Sequence, residues 1–299
     1  MRRALSIAVL LAVVALGWLW LGGGFDALAV WAAEWQRAFQ NGIARTLRAL
    51  RGGEPGAYAA LMTSCFAYGF FHAIGPGHGK LLVGGYGVAR AVPMLRLSLI
   101  ALLSSLGQAV TAVVLAYAGI WLLGLTRDAM IGAAERTLAP LSYALIAGIG
   151  GWLLLRGARH LWQARAPHDH AHTGDGAACS SCGHSHGPSL EEAGAATSLR
   201  EALLLIGGIA VRPCTGALFV LLITWQMGIA AAGIAGAFAM ALGTASVTVA
   251  VGIAASGFRG GVLRSVAGAR SLVWIVPVIE IAAGAFVIVL SVGLLVRAL

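Results

Sequence analysis

Seven apolar segments, each long enough to cross a bilayer as a helix, dominate this 299-residue chain. They are Leu5–Leu21, Ala57–Ile74, Leu97–Leu123, Leu138–Leu155, Ala202–Trp225, Ile229–Ser256 and Leu272–Val296. Hydrophobic residues make up 59% of the chain and charged residues 10%, whereas soluble proteins carry about 25% charged residues. The sequence therefore predicts an all-α membrane protein with about seven transmembrane helices.

Basic residues outside these segments indicate the orientation. If the N-terminus lies inside, alternate loops place twelve Lys and Arg residues, Lys80 among them, on the inner side and seven on the outer side. Cytoplasmic loops of membrane proteins are enriched in Lys and Arg, so the net charge of +9 indicates topology and not nucleic-acid binding. We predict a bacterial inner-membrane protein with a cytoplasmic N-terminus.

The first 56 residues precede the main body of the chain. Residues 1–24 are predicted to be a retained transmembrane helix, and a cleaved signal peptide is the alternative. Residues 25–56 alternate apolar and charged side chains at helical spacing. They predict an amphipathic helix on the extracytoplasmic surface.

An internal repeat organises the remaining chain. Three landmarks recur at an offset of 136 or 137 residues: Pro76 and Pro213, Pro140 and Pro277, and the tetrapeptides that begin at Leu106 and Leu242. Each copy contains three apolar segments, so the two copies would have opposite orientations, as in secondary transporters with inverted repeats and broken helices. The predicted parts are repeat 1 at 57–156, a cytoplasmic loop at 157–200 and repeat 2 at 201–299.

Two histidines flank a predicted helix break in repeat 1. In an unbroken helix, His72 and His78 would point about 120° apart. The intervening Gly75-Pro76-Gly77 is expected to interrupt the helix and allow the two imidazoles to converge. Because neutral imidazole binds Ni, Co, Cu and Zn, we predict that both histidines bind metal; a hydrogen-bonded core histidine is the alternative.

The matching break in repeat 2 contains Arg212, Cys214 and Thr215. Arg212 is the one arginine inside an apolar segment, and Glu280 is the one acidic residue there. Such charges are costly in a membrane, so the two are expected either to pair or to act in transport, Arg212 as a carbonyl cap and Glu280 as a proton carrier or hard ligand. Cys214 is a candidate soft ligand, with simple packing as the alternative, and Thr215 is assigned to the same pathway.

Two further polar residues occupy matching repeat positions after the breaks. Gln108 and Thr244 each follow a Leu-Gly pair. Polar side chains among small residues often serve only to pack helices together. Their repeat-related positions nevertheless favour a role in the transport pathway.

The loop between the repeats has a metal-chelating composition. Seven potential ligands fall between residues 168 and 186: His168, His170, His172, Cys179, Cys182, His184 and His186. Five of the chain's eight histidines are among them, and the C-x-x-C in a polar loop favours metal binding over a disulfide framework. We predict that this loop binds transition metal ions in the cytoplasm.

Together these motifs resemble the NicO family of nickel/cobalt transporters, and within it the RcnA-like efflux proteins. The resemblance lies in the segments His72–Lys80, Arg212–Ala217 and Leu242–Thr248 and in the His-rich loop, and it covers roughly residues 57–298. It implies Ni²⁺ or Co²⁺ as substrate and export as the direction. The related uptake permeases carry H-x4-D-H on this helix, and Gly77 stands where their Asp would be.

These features predict a secondary transporter that exports nickel or cobalt, with proton antiport as the energy source because no G-x-x-x-x-G-K-[ST] motif occurs. The expected partners are divalent metal ions and the lipid bilayer, with no nucleic acid, no enzymatic activity and no cofactor beyond transported or loop-bound Ni or Co, or Zn. A metal-uptake permease is one alternative. A thiol–disulfide electron carrier that uses Cys65 and Cys214 is the other.

Overall fold

The computed structural model describes residues 22–75, 78–90, 92–165, 199–265 and 269–298. These residues form helices joined by short turns, without a β-strand in the described ranges. The helices are α1 Gly24–Arg51, α2 Ala57–Ile74, α3 His78–Ala89, α4 Met94–Trp121, α5 Arg127–Ala133, α6 Ala139–Arg165, α7 Leu199–Ala210, α8 Thr215–Gln226, α9 Ala230–Ser265 and α10 Ala269–Ala298. A π-helical turn at Ala134–Leu138 joins α5 to α6.

The described helices confirm a multi-pass helical membrane protein. Five spans are long and apolar enough to cross a bilayer: α2, α4, the α5–α6 unit, α9 and α10. The shorter α7 and α8 meet at a 60° bend and together form a sixth, broken span. These six coincide with the second to seventh predicted segments. The first, Leu5–Leu21, lies outside the described residues, so the count of seven stays a prediction.

The helix boundaries repeat at the offset found in the sequence. Helix α3 runs from residue 78 to 89 and α8 from 215 to 226, a shift of 137 residues at both ends. The long helices that follow, α4 and α9, are related in the same way, and so are α6 and α10, which carry Pro140 and Pro277. Each copy therefore consists of a broken helix followed by two long helices.

The two copies interlock through their broken helices. Helix α2 of the first copy packs against α9 of the second, and α7 of the second packs against α4 of the first. The contacts are close at Gly243, where an added Cβ would lie 2.1 Å from the carbonyl oxygen of Phe66, and at Gly107, where it would lie 2.6 Å from the Cβ of Ala210. Small residues of this kind let membrane helices approach closely.

The predicted amphipathic helix is present as α1, and it packs lengthwise on α2. Gln36 donates a hydrogen bond to the hydroxyl of Tyr68 (3.1 Å), and Gly42 lies beside Ser64. As the residue number rises in α1 it falls in α2, so the helices are antiparallel. The buried side chains of Ile43 and Leu47 form the contact face. The side of the membrane on which α1 lies stays a prediction.

Buried apolar side chains form two clusters, one around each short helix. Leu82, Val83 and Tyr86 of α3 belong to the first cluster, and Leu218 and Leu221 of α8 belong to the second. Large apolar side chains on the outer faces of the long helices remain exposed, as expected for surfaces that contact lipid. The two short helices are therefore held inside the bundle, where each follows a break in the backbone.

Candidate metal-ion site

The first break leaves backbone carbonyls at the end of α2 without helical partners. Helix α2 ends at Ile74, and the last four carbonyls of a helix have no partner within it. The ammonium of Lys80 turns back from α3 and donates to the carbonyl oxygens of Ala73 (3.0 Å), Ile74 (2.7 Å) and Gly75. The sequence alone treated Lys80 as an anchor on the inner side and did not predict this contact.

A cavity of about 50 Å³ lies beside this break, with room for a few water molecules. Its polar lining comes from both repeats: His72 and Lys80 at the break, Ser104, Ser105 and Gln108 on α4, and Thr244 and Thr248 on α9. Three of the predicted pathway residues, His72, Gln108 and Thr244, thus meet at one cavity. Ser105 and Thr248 face each other across it with their hydroxyl oxygens 3.5 Å apart.

Gln108 and Thr244 make equivalent contacts across the repeat interface. The side-chain amide of Gln108 donates to the carbonyl oxygen of Ile209 in the last turn of α7 (3.3 Å). The hydroxyl of Thr244 donates to the carbonyl oxygen of Gly69, near the end of α2 (3.2 Å). Each residue thus ties the broken helix of the opposite repeat to the cavity wall, so the helix-packing role and the lining role coexist.

His72 lies in the last turn of α2, half-buried, with one face covered. Its ring stacks on Tyr68 one turn earlier, with centroids 6.0 Å apart and planes 5° from parallel. Arg212 and Lys80 lie close enough to act on it electrostatically. His78 is the first residue of α3, but its side chain lies outside what the structure describes, so the convergence of the two imidazoles stays a prediction.

The predicted pairing of Arg212 with Glu280 is wrong. The guanidinium of Arg212 lies over the ring of Tyr143, with its central carbon 5.0 Å from the ring centroid, and donates a hydrogen bond to the Tyr143 hydroxyl. Glu280 instead lies 3.3 Å from Nδ1 of His160. Tyr143 and His160 are seventeen residues apart on α6, which is about 26 Å along the helix. Arg212 and Glu280 are therefore at different levels of the bundle.

Glu280 belongs to a buried polar cluster that also contains Arg90, Arg259 and Glu201 and that lies away from the cavity. Its carboxylate is 3% exposed, and Gly157 on α6 allows α10 to approach closely at this level. Arg259 on α9 donates to the carbonyl oxygens of Val88 (2.7 Å) and Ala89 (2.8 Å) at the end of α3. Arg90 and Tyr86, both in repeat 1, donate to the carboxylate of Glu201 in repeat 2 (3.4 and 2.9 Å). We refer to this group, with His160, as the α3-end cluster.

Each of these contacts joins one repeat to the other. Helix α3 connects the two regions, because the cavity lines its start and the α3-end cluster surrounds its last turn. The 137-residue offset places Leu122, Met227, Ser64 and Tyr143 at the positions equivalent to Arg259, Arg90, Glu201 and Glu280. The counterpart positions carry no charge, so the polar contacts distinguish one end of an otherwise repeated architecture.

The cysteines lie outside the cavity. Cys214 is the N-cap of α8 and Thr215 is its first residue, next to Gly216, on which the ring of Tyr68 packs. Cys65 is fully buried on α2, close to Gly236. Both thiols are free. Within the described residues, no three His, Cys, Asp or Glu side chains come together, so any ion beside His72 must take further ligands from other donors or from residues outside that part of the chain.

Comparison with known proteins decides the family. The sequence matches NicO, described as high-affinity nickel-transport protein, over residues 58–173 and 163–299. The chain belongs to the NicO family. It is also 28% identical, over 71% of its own length and 70% of the relative's, to a putative nickel/cobalt efflux system of Haemophilus influenzae. No solved structure matches.

Membership in a nickel-transport family fits a cavity at the broken helix, although several NicO site predictions stay untested. The seven candidate ligands of the His-rich loop, His168 to His186, lie outside the described residues. The sequence also failed to indicate several contacts. Tyr143 could have been found as the repeat equivalent of Glu280, whereas His160, the remaining histidine, gave no signal because its partner lies on another helix.

Proposed function

We propose that this chain exports Ni²⁺ or Co²⁺ from the cytoplasm in exchange for protons. The observation that carries the proposal is the polar cavity at the first helix break, where His72 meets groups from both repeats. In inverted-repeat transporters, such sites at broken helices are exposed alternately to the two sides of the membrane. Rocking of one repeat against the other would expose the ion outside.

The lining of the cavity suits a transient site for a borderline metal ion. Imidazole is a ligand for Ni²⁺ and Co²⁺, while hydroxyl and amide oxygens are weaker donors to these ions. One or two imidazoles with several neutral oxygens would bind the ion without trapping it. His72 and His78 are proposed as the nitrogen ligands, with Cys214 and Thr215 at the adjacent break.

Three features support export over uptake. The relative from Haemophilus influenzae is named as a putative efflux system. Gly77 replaces the Asp that marks the uptake permeases to which the family resemblance extends. The His- and Cys-rich loop between the repeats, assigned to the cytoplasm by the charge distribution, would capture the ion on the side from which export starts.

Proton coupling is assigned to the buried acid of the second repeat. Glu280 is the one acidic residue within the apolar segments, and it pairs with His160, which is partly exposed. Buried ionisable groups inside membrane spans commonly carry protons or ions. A proton passed between this pair would change the charge of contacts that join the two repeats.

The test is the metal content of bacterial cells that express the wild type or His72→Ala, measured after exposure to Ni, Co, Zn or Cu. We expect the wild type to lower the Ni and Co content relative to an empty vector, and His72→Ala to restore it. Thr63→Ala, an exposed substitution on the same helix, is the matched control and should behave as wild type. A rise in cell nickel on expression would favour the uptake permease, and an unchanged phenotype in His72→Ala would remove His72 from the pathway.

A further inference from the structure

The ammonium of Lys80 is fully occupied by the end of α2. An ammonium carries three N–H donors and no acceptor, and Lys80 Nζ contacts three carbonyl oxygens, those of Ala73, Ile74 and Gly75. The C-terminal end of a helix carries a partial negative charge. Three carbonyls at such an end, converging on one point, form a site for a compact cation.

Lys80 is the only lysine in the chain, and the other nineteen basic residues are arginines. An arginine would present a planar fork, which suits carboxylates and phosphates but cannot direct three donors to three converging oxygens. A lysine ammonium is a compact charge with three donors that rotate freely. The single departure from arginine therefore occurs at the position where the geometry requires an ammonium.

The second break has no equivalent cation. The position that corresponds to Lys80 is Ala217. The terminal carbonyls of α7 receive neutral donors instead: the Ser142 hydroxyl donates to Gly208 (2.6 Å), and the Gln108 amide donates to Ile209 (3.3 Å). Only the first of the two repeated breaks holds a positive charge in its carbonyls.

In transporters with inverted repeats, carbonyls at unwound segments and half-helix C-termini coordinate a monovalent coupling ion. We propose that the Ala73, Ile74 and Gly75 carbonyls form a site for a monovalent alkali cation and that the Lys80 ammonium is its permanent, tethered occupant. Distances of 2.7 and 3.0 Å from Nζ to two of the oxygens suit a cation of the size of K⁺. The wild type then needs no free monovalent cation, and loss of the ammonium opens the site to K⁺ or Na⁺.

The direct test does not involve the transported metal. Purified full-length wild type, Lys80→Ala and Arg127→Ala are unfolded thermally in KCl, NaCl or choline chloride at equal ionic strength. Arg127 lies over the ring of Phe219, away from the break, and controls for loss of one basic residue. We expect K⁺ at about ten times its dissociation constant to raise the midpoint of Lys80→Ala by roughly 3 °C over choline, with no salt difference in the other two proteins.

Several results would overturn the proposal. They are a Lys80→Ala midpoint that is the same in all three salts, an equal response of wild type or Arg127→Ala, and stabilisation by Ni²⁺ in place of K⁺ and Na⁺. Lys80→Met keeps the apolar stem of the side chain and covers the case in which Lys80→Ala does not fold. Failure of both variants to fold in KCl would also refute the idea, because a free cation should replace the ammonium.

A second arm rests on the proposed transport function. In proteoliposomes, Ni²⁺ flux through the wild type should be equal in KCl and choline chloride, while flux through Lys80→Ala should be about tenfold slower in choline, a difference of about 1.4 kcal/mol in barrier height. Absence of Ni²⁺ flux in the wild type would contradict the proposed function and leave the thermal result standing. A Lys80→Ala flux that is independent of the salt would contradict the cation site alone.

Discussion

Replacement of Gly243 by alanine tests whether the two repeats are held together by direct contact of helix backbones. An added Cβ would lie 2.1 Å from the carbonyl oxygen of Phe66 and 2.8 Å from the amide nitrogen of Phe70. Gly69 makes the reciprocal contact, since its Cβ would lie 2.0 Å from the carbonyl oxygen of Met240. All these atoms belong to backbone, so no side chain can rotate away to make room.

The size of the effect follows from this geometry. Carbon–oxygen contacts below 3.0 Å essentially do not occur, so α2 and α9 must separate by about 0.9 Å at Gly243. Overpacking of a close interface costs about 1–3 kcal/mol, and a backbone contact belongs at the upper end of that range. For a chain of this size, about 3 kcal/mol corresponds to a fall of roughly 6–12 °C in the unfolding midpoint.

Gly257 provides a matched control on the same helix. A Cβ at that position meets nothing within 4 Å, and alanine is favoured over glycine in a helix by up to about 1 kcal/mol. Thermal unfolding in detergent should therefore show Gly243→Ala well below wild type and Gly257→Ala at or slightly above it. Equal midpoints for the two variants would refute the close α2–α9 packing on which the cavity depends.

Three further predictions follow from the site and its surroundings. Arg259→Gln should lower the unfolding midpoint by several degrees, because buried carbonyls and a buried carboxylate lose a charged partner, whereas Arg159→Gln on the exposed face of α6 should not change it. Gln108→Leu should slow Ni²⁺ flux in proteoliposomes severalfold while expression is maintained, since it removes one cavity donor and one contact to α7. Deletion of residues 167–192 should reduce the number of Ni²⁺ ions bound per purified protein more than it reduces flux at saturating metal; complete loss of flux would overturn this division of roles.

Hydropathy and proline spacing predicted most of the architecture. Membrane spans are visible in a sequence because the lipid-facing side chains of each helix must be apolar along its whole length. The helix breaks were visible because proline removes a backbone donor, and Pro213 does separate α7 from α8. The 137-residue offset, first seen in two proline pairs, reappears in both ends of α3 and α8.

Partners of individual side chains were harder to predict, and Arg212 shows why. The sequence contains one arginine and one acid in apolar segments, which makes a pair the simplest expectation. In the fold, the broken helix of each repeat packs on the other repeat, so Arg212 meets Tyr143 on α6, about 26 Å along that helix from the level of Glu280. Charge complementarity alone does not contain this information, because it depends on how the two repeats interlock.

The contact of Lys80 was hidden for a related reason. A basic residue near the end of an apolar segment usually marks the membrane surface. Here the chain reverses direction locally at the break, and the side chain returns to the carbonyls five to seven residues earlier. Only the position of α3 relative to the end of α2 shows that the charge is used inside the bundle.

The most direct test of the central claim is Ni²⁺ transport into everted membrane vesicles, whose cytoplasmic face points outward. If the chain exports nickel through the His72 cavity in exchange for protons, vesicles with an acidic lumen should accumulate Ni²⁺. A protonophore should abolish the accumulation, and His72→Ala vesicles should not show it. Accumulation in right-side-out vesicles instead, or equal accumulation by wild type and His72→Ala, would contradict the account.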